Sequence, residues 1–340
     1  MKNVSAKIVG VGSYLPDTIV TNFELEKIVN TSNEWIVQRT GIHCRHIASQ
    51  YQQTSDLAVE AIKNAVRNAR MNINDIEMII CATTTPDLTF PSTACIIQKK
   101  LGIKKPIIAF DLQAVCSGFI YALSIGNDIM NNRKLKSAII VGAEKMSSII
   151  DWSDRTTCVL FGDGAGAVVL KKARKGDSSF IIDTDIYADG NFSDILCTTG
   201  GVSMSNFNRN TQIHDFNGNV INSTTGIIKM NGQGVFKHAV EKMVESIRKI
   251  VKKNHYTLDD LKLIVPHQAN CRILSLVSEK LGVPENKFML TIGKHANTSS
   301  ASIPLALDVA IKTKRIKKGD LIALEALGGG LTWGSALLKL

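Results

Sequence analysis

An internal repeat is the feature that most constrains the fold of this chain. In the first half, Ala58-Val-Glu-Ala-Ile is followed by Asn74-Asp-Ile-Glu-Met-Ile-Ile80; in the second, Ala239-Val-Glu-Lys-Met is followed by Asp259-Asp-Leu-Lys-Leu-Ile-Val265. Each copy has the spacing of an amphipathic helix that leads into a buried strand. The repeat therefore predicts an α/β chain made of two copies of one unit, with an N-terminal half at residues 1–174 and a C-terminal half at residues 175–340.

Further matches extend the repeat toward a candidate site. Residues 98–103 are echoed by residues 278–283, and the turn around Cys116 then falls opposite the turn at 298–300. The chain has 340 residues, of which 44% are hydrophobic, and this is enough for two subdomains with a large core. Pairing the halves would bring turns that are distant in sequence to one shared site.

Cys116 is the candidate nucleophile. It lies in Asp111-Leu-Gln-Ala-Val-Cys116-Ser-Gly-Phe119, where an apolar strand at 107–110 leads into a helix that begins near the cysteine. The helix dipole and the unsatisfied N–H groups at that position should lower the thiol pKa from about 8.5 toward neutrality. Most free cysteines are instead small buried hydrophobes. We favour a nucleophile because Ser117 and Gly118 leave room for a substrate beside the sulfur.

Polar motifs in the second half follow apolar stretches. His267 comes after an apolar strand, at the carboxyl edge where α/β sheets collect ligand sites. Asn297 follows a strand predicted at 287–292, and its amide can donate to a carbonyl oxygen that becomes an enolate. A third motif, Glu325-Ala-Leu-Gly328-Gly329-Gly330, presents backbone without side chains, so an N–H such as that of Gly329 can serve an oxyanion hole.

Taken in order, the motifs of the whole chain resemble one enzyme family. Besides those above they include Thr31-Ser-Asn-Glu-Trp35-Ile-Val-Gln-Arg39-Thr-Gly41, Ala82-Thr-Thr-Thr-Pro86 and Phe161-Gly-Asp-Gly-Ala-Gly-Ala167. The chain resembles the β-ketoacyl-acyl carrier protein synthase III family, the initiating condensing enzymes of bacterial type II fatty-acid synthesis within the thiolase-like superfamily. The resemblance implies a thiolase-like fold with a layered α-β-α-β-α arrangement. It also implies a catalytic triad of Cys116, His267 and Asn297, with Gly329 in the oxyanion hole.

The resemblance further implies a reaction and its substrate contacts. The reaction is a decarboxylative Claisen condensation of an acyl-CoA with malonyl-acyl carrier protein, and no metal or redox cofactor is expected because loss of carbon dioxide drives it. Coenzyme A enters as part of the donor substrate. Its contacts are assigned to side chains that stack on adenine or meet phosphate, namely Trp35, Arg39, Arg155 and Asn270. Phe90 is expected to cross a homodimer interface and cap the partner's acyl pocket.

A net charge of +10 is expected to attract nucleic acids, membranes or acidic proteins. Nucleic acid is disfavoured, since the chain has no helix-turn-helix, zinc-ligand pair or aromatic-basic RNA motif, and its basic residues are scattered over amphipathic helices. The resemblance makes acyl carrier protein the partner and places its docking contacts at Lys237, Arg272 and Lys280. Each of these charges alone is equally well explained as an ordinary solvated side chain.

The remaining composition predicts a cytoplasmic protein with neither membrane insertion nor a bound metal. The longest apolar stretches have the length of strands, and the first residues lack the pattern of a signal peptide. Seven cysteines without disulfide-like spacing suit a reducing compartment. His43-Cys44-Arg45-His46 contains metal-ligand residue types, but no second cluster completes a zinc site.

Other condensing enzymes and one unrelated class remain as alternatives. A degradative thiolase would place a second cysteine in the C-terminal glycine-rich segment, an elongating ketosynthase would carry histidine in place of Asn297, and a non-catalytic chain-length partner would lack Cys116. A cysteine hydrolase also uses Cys, His and Asn. The segment 200–225 is long and rich in Asn and Gly. It predicts an irregular loop over the entrance, which leaves open a specialised synthase III-like enzyme of secondary metabolism.

Overall fold

Strands and helices alternate along most of the chain. The computed structural model describes residues 5–174, 176–203, 211–223 and 226–340. The strands, numbered β1 to β15, are Ala6–Tyr14, Thr18–Thr21, Cys44–Ile47, Met78–Ala82, Ile108–Leu112, Ser137–Glu144, Gly164–Lys172, Phe180–Ala188, Leu196–Thr198, Thr211–His214, Val220–Ser223, Ile228–Met230, Leu263–Pro266, Leu321–Gly328 and Thr332–Lys339. The helices, α1 to α9, are Asn22–Leu25, Asn33–Thr40, Thr54–Asn68, Thr93–Lys100, Gly118–Arg133, Gly232–Lys253, Cys271–Leu281, Ile292–His295 and Ser302–Lys312.

Two sheets repeat one strand order. In the first, β1-β7-β6-β4-β5, strand β4 is parallel to its neighbours β5 and β6, and the other pairs are antiparallel. In the second, β13-β14-β15-β8, β13 is parallel to β14 and the other pairs are antiparallel. A parallel bridge between Ile264 and Phe288 occupies the place of β5. The prediction of a strand at 287–292 is therefore wrong, because this stretch makes only the single bridge before α8 begins.

The two faces of each sheet bury different helices, and this generates five layers. One face of the first sheet, with Ile79 and Val141, packs under α3 and α4. Its other face and one face of the second sheet enclose α5 and α9 in a shared core that contains Phe119 and Leu307. The outer face of the second sheet packs against α6 and α7. Strands buried on both faces read as continuous apolar runs, and the predicted α/β class with an α-β-α-β-α arrangement is confirmed.

The two sheets divide the chain near the predicted boundary. Strand β7 ends at Lys172 in the first sheet, and β8 begins at Phe180 in the second. The halves are close at the level of the backbone, because a Cβ added at Gly142 of β6 would lie 2.3 Å from the carbonyl oxygen of Ser300. Only glycine permits this approach. The contact sets the turn after α8 against the end of β6. The division into units at residue 174 stays a prediction.

The helix α6 illustrates how the outer layer is amphipathic. It runs for 22 residues from an N-cap at Asn231, whose side chain accepts a hydrogen bond from the N–H of Gly234. Its buried face includes Ala239, Met243 and Ile247, while Lys252 and Lys253 at its end are exposed. Among the helices of the described ranges, none is both long enough and apolar enough to cross a membrane.

Part of the segment expected to be an irregular loop is a hairpin. Strands β10 and β11 pair antiparallel around a turn at Gly218, which has φ of 80°. The hairpin docks where the N–H of Trp152 donates to the carbonyl of His214 at 3.1 Å and the ring of Phe216 lies 5.0 Å from that of Trp152. The expectation of irregular structure is thus wrong for residues 211–223. Residues 204–210 and 224–225 of the predicted loop lie outside the described residues.

Candidate active site

One cavity of about 780 Å³ brings the predicted triad together. Cys116 from the N-terminal half and His267 and Asn297 from the C-terminal half all line it. Most of the remaining wall is apolar and includes Val159, Leu160, Phe161, Leu196, Met230, Phe236, Met243 and Leu327. A predominantly apolar pocket with a few converging polar groups is typical of a small-molecule site.

Cys116 lies in a strained turn that precedes α5. The 3₁₀ turn Val115–Ser117 leads into α5 at Gly118, and Val115 has φ of 48°, a region that β-branched residues rarely adopt. The sulfur is almost fully buried, and burial raises the pKa of Cys116 to about 12. A hydrogen bond from the Ser299 side chain opposes this shift, and a negative charge on Glu144 would add to it. The expected lowering of the pKa is wrong because desolvation outweighs the favourable effects.

His267 lies directly after β13, as predicted. Its backbone N–H donates to the backbone carbonyl of Glu325 on β14 at 2.7 Å, which fixes the main chain where the strand ends. The ring is buried, and its Nδ1 has no hydrogen-bond partner among the described residues. Burial lowers the pKa of His267 to about 3. The imidazole is therefore neutral near pH 7 and retains a lone pair for a proton.

Asn297 is held by the backbone on both sides. Its N–H donates to the carbonyl of Leu160, and its own carbonyl accepts from the N–H of Gly162, both at 3.0 Å. The side-chain Oδ1 accepts from the N–H of Ser299 at 2.9 Å. Because this bond occupies the oxygen, the amide nitrogen is the group left to donate toward a ligand in the cavity.

The glycine-rich turn after β14 approaches the cysteine turn at backbone distance. A Cβ at Gly328 would lie 2.7 Å from the nitrogen of Cys116, and one at Gly329 would lie 2.7 Å from the carbonyl oxygen of Leu196. Any side chain at Gly328 would therefore push on the nucleophile's own backbone. Gly329 itself is not among the residues that line the cavity. Its role in an oxyanion hole stays a prediction.

The residues predicted to contact coenzyme A cluster around one indole ring. The guanidinium carbons of Arg155 and Arg39 lie 5.2 Å and 5.9 Å from the centre of the Trp35 ring. Trp35, Arg39 and Asn270 line the cavity, whereas Arg155 lies outside its wall and donates to the carbonyl of Asn30 at 3.1 Å. Asn270 caps α7 by accepting from the N–H of Arg272 at 2.8 Å, and its amide donates to the Arg39 carbonyl at 3.1 Å. Its side chain thus organises this wall of the cavity.

The other predicted residues lie on the outside of the molecule. Phe90 is 83% exposed and does not line the cavity of its own chain. Lys237 on α6 and Lys280 on α7 are exposed and also lie outside the cavity, whereas Arg272 lines it. In the described part of the chain, no group of three or more His, Cys, Asp or Glu side chains is placed to hold a metal ion.

The sequence reasoning missed the apolar wall and the residues behind the cysteine. Ala239 and Met243, spaced as i and i+4 on the amphipathic α6, line the cavity. The helical period could have identified that face as buried, but not what it faces. Glu144 from the N-terminal half and Ser299 from the C-terminal half both influence the pKa of Cys116. No local sequence signal identifies them, because folding of the two halves places them near the cysteine.

Comparison with known proteins agrees with this geometry. Residues 110–190 match the family model for 3-oxoacyl-[acyl-carrier-protein (ACP)] synthase III, and residues 251–340 match the model for the C-terminal part of the same enzymes. The β-ketoacyl-[acyl-carrier-protein] synthase III of Wolbachia pipientis wMel is 51% identical over 97% of this chain and 98% of its own. That of Ehrlichia canis (strain Jake) is 49% identical over 98% of both chains. The crystal structure of the enzyme from Aquifex aeolicus VF5 superposes with a TM-score of 0.88 at 44% identity, over 98% of this chain and 100% of the other.

Proposed function

The chain belongs to the 3-oxoacyl-[acyl-carrier-protein] synthase III family, and we propose that it condenses an acyl-CoA starter with malonyl-acyl carrier protein. The products are β-ketoacyl-acyl carrier protein, coenzyme A and carbon dioxide, and the reaction initiates fatty-acid synthesis. The observation that carries this proposal is the meeting of Cys116, His267 and Asn297 in one cavity. Relatives at 49% and 51% identity bear the synthase III name along nearly their whole length, which favours this function over a specialised synthase.

In the first stage, the Cys116 sulfur attacks the thioester carbonyl of acyl-CoA. Because burial keeps the cysteine as a thiol, its proton must leave as the C–S bond forms. His267, a neutral base on the same cavity, receives this proton and passes it to the departing coenzyme A thiolate. The N–H groups of Cys116 and Gly329 hold the oxyanion. Trp35, Arg39, Arg155 and Asn270 bind coenzyme A.

In the second stage, malonyl-acyl carrier protein enters the acylated site. His267 and the amide nitrogen of Asn297 hydrogen-bond its thioester oxygen while the carboxylate leaves as carbon dioxide and an enolate forms. The enolate carbon attacks the acyl group, the C–S bond to Cys116 breaks, and the released thiolate takes up a proton from solvent. Loss of carbon dioxide drives the condensation, and the reaction requires no external oxidant or reductant. Coenzyme A is accordingly proposed as part of a substrate, with no resident cofactor or metal.

The proposed assembly is a cytoplasmic homodimer. The tip at 88–90 exposes Leu88 and Phe90 by 50% and 83%, and large exposed apolar side chains side by side mark an interaction surface. Phe90 from one subunit would then cap the acyl pocket of the other. All seven cysteines are free thiols in the structure, as a reducing compartment requires. Acyl carrier protein is the proposed macromolecular partner.

Separating the two stages tests the proposed function. Asn297→Ala should still gain an acyl group from acetyl-CoA, seen by intact-protein mass, because the amide acts only on the malonyl group. Release of carbon dioxide from malonyl-acyl carrier protein should fall by about 10²-fold or more, since a preorganised donor to the enolate is lost. Cys116→Ala should gain no acyl group.

Asn286→Ala serves as the matched control, because Asn286 is an exposed asparagine outside the cavity. It should match the wild type in both stages. Unchanged carbon dioxide release by Asn297→Ala, or an acyl adduct on Cys116→Ala, would contradict the assigned roles.

A further inference from the structure

A buried carboxyl that the proposed mechanism does not use lies behind the candidate nucleophile. Glu144, the last residue of β6, is fully buried. Its Oε2 accepts from the N–H of Thr84 and from Oγ1 of Thr85, each at 3.0 Å. Among the described residues no lysine, arginine or histidine forms an ion pair with it. A carboxyl buried without a cation is disfavoured in its charged form.

The other oxygen of Glu144 connects to the active site through one hydroxyl. Oε1 lies 3.0 Å from the Oγ of Ser299 and 2.9 Å from the Oγ of Ser300. The turn Ser299–Ala301 packs against both β6 and the turn that bears Cys116. The Ser299 hydroxyl lowers the pKa of Cys116 as a hydrogen-bond donor to its thiolate. The N–H of Ser299 donates to Oδ1 of Asn297 at 2.9 Å. Ser299 therefore links the carboxyl to the nucleophile and to the enolate-binding amide.

A count of hydrogens places a proton on the carboxyl. The contacts run from Ser299 Oγ to Glu144 Oε1 at 3.0 Å, then to Ser300 Oγ at 2.9 Å, and finally to the carbonyl oxygen of Ala82 at 2.8 Å. Each contact needs one hydrogen. The two serine hydroxyls supply one each, and a carbonyl supplies none. The remaining hydrogen comes from Glu144. Burial, which raises the pKa of Glu144, is consistent with this assignment.

We propose that Glu144 is a neutral carboxylic acid that acts as a positioning residue for Cys116 through the Ser299 hydroxyl. As the sulfur gains negative charge, the Ser299 hydroxyl turns to donate to it, and the acid hydrogen of Glu144 supports the serine oxygen in return. A neutral acid does this without placing a second negative charge beside the thiolate. Cys81 is the other thiol whose pKa would respond to a charge on Glu144. The proposal rests on the proposed function only in taking Cys116 as the nucleophile.

Alkylation of Cys116 by iodoacetamide in the substrate-free protein tests the link from Glu144 through Ser299 to Cys116. The test uses no substrate, so its outcome is independent of whether the condensation reaction is intact. The rate is measured against pH from the mass of the Cys116 peptide. Ser299→Ala should alkylate about tenfold more slowly at a given pH, because a hydrogen bond to a charged group is lost. In turnover, this variant should lower the kcat of acylation and leave KM unchanged. Ser300→Ala is the matched control, since Ser300 bonds the same carboxyl oxygen, and its alkylation profile should match that of the wild type.

Glu144→Gln tests the charge itself. Glutamine is neutral and both donates and accepts, so this variant should keep the wild-type alkylation profile and acylation rate. Faster alkylation at neutral pH would show that the variant has lost a negative charge, and it would overturn the proposal. Equal slowing by Ser299→Ala and Ser300→Ala would do the same. If Glu144→Gln does not fold, the infrared difference spectrum of the wild type before and after Cys116 alkylation decides. A shifted carboxylic-acid C=O band supports the proposal, and carboxylate bands alone overturn it.

Discussion

At the scale of single residues, burial determines the resting state of the active site. Burial raises the pKa of Cys116 to about 12 and lowers that of His267 to about 3. Each shift favours the uncharged form, so the resting pair near pH 7 is a thiol and a neutral imidazole rather than a thiolate and an imidazolium. In the proposed function, the proton would then move only when the acyl donor offers a carbonyl for the sulfur to attack.

This resting state predicts a steep pH dependence for wild-type Cys116. Its alkylation by iodoacetamide should accelerate about tenfold per pH unit from about pH 7 to 10, because the thiolate fraction rises by that factor below the pKa. Peptide mass spectrometry measures the rate, with the exposed Cys95 as an internal reference. A rate for Cys116 that does not change between about pH 6 and 9 would mean that the pair is already ionised, contrary to this prediction.

At the scale of elements, the backbone is strained at the end of the short helix α8, immediately before Asn297. Ala296 follows α8 with φ of 55° and ψ of −162°, a region that is essentially reserved for glycine. The residue is also fully buried, so the surrounding structure holds it in place. Strain of this kind persists where neighbouring contacts over-determine the backbone. Here those contacts are the backbone hydrogen bonds of Asn297 to Leu160 and Gly162.

Glycine at position 296 should relieve that strain. We expect Ala296→Gly to raise the free energy of unfolding by about 1 kcal/mol, since the strain removed exceeds the chain entropy that glycine adds to the unfolded state. Chemical denaturation measures the change. Ala69→Gly is the control, because Ala69 follows α3 with an ordinary φ of −72°, and glycine there should cost about 0.5–1 kcal/mol. Equal destabilisation by both changes would show that Ala296 carries no relievable strain.

The sequence predicts these elements where a short-range pattern decides them, and fails where packing does. Apolar runs and the repeat were sufficient to predict β13 and its His267, and the confirmed family follows from the motifs around them. Asn217-Gly218 is a recognised hairpin signal, and it could have identified the hairpin at 211–223. No local pattern could show that Cys116 would be buried deeply enough to raise its pKa. That burial depends on packing between the two halves, including that of the turn at 299–301 against the turn that bears Cys116.

At the scale of the whole molecule, the net charge of +10 suits the anionic donor and the acidic carrier protein of the proposed function. Long-range attraction of this kind steers association more than it fixes a bound geometry. Arg272 can contribute both to long-range attraction and to a bound contact, because it is exposed and also lines the cavity. Its position makes it the most direct test of the predicted docking set of Lys237, Arg272 and Lys280.

Reversing that charge should weaken the carrier step selectively. Arg272→Glu should raise the KM for malonyl-acyl carrier protein strongly at low salt and change Cys116 acylation by acyl-CoA much less. Lys318→Glu makes the same change in net charge at an exposed lysine that lines a different cleft, and its carrier KM should stay close to the wild type. Added salt should narrow the gap between Arg272→Glu and the wild type, since the screening length falls from about 10 Å at 0.1 M to about 3 Å at 1 M. Equal carrier KM values for both variants would mean that only total charge matters, and Arg272 would then be an ordinary solvated residue.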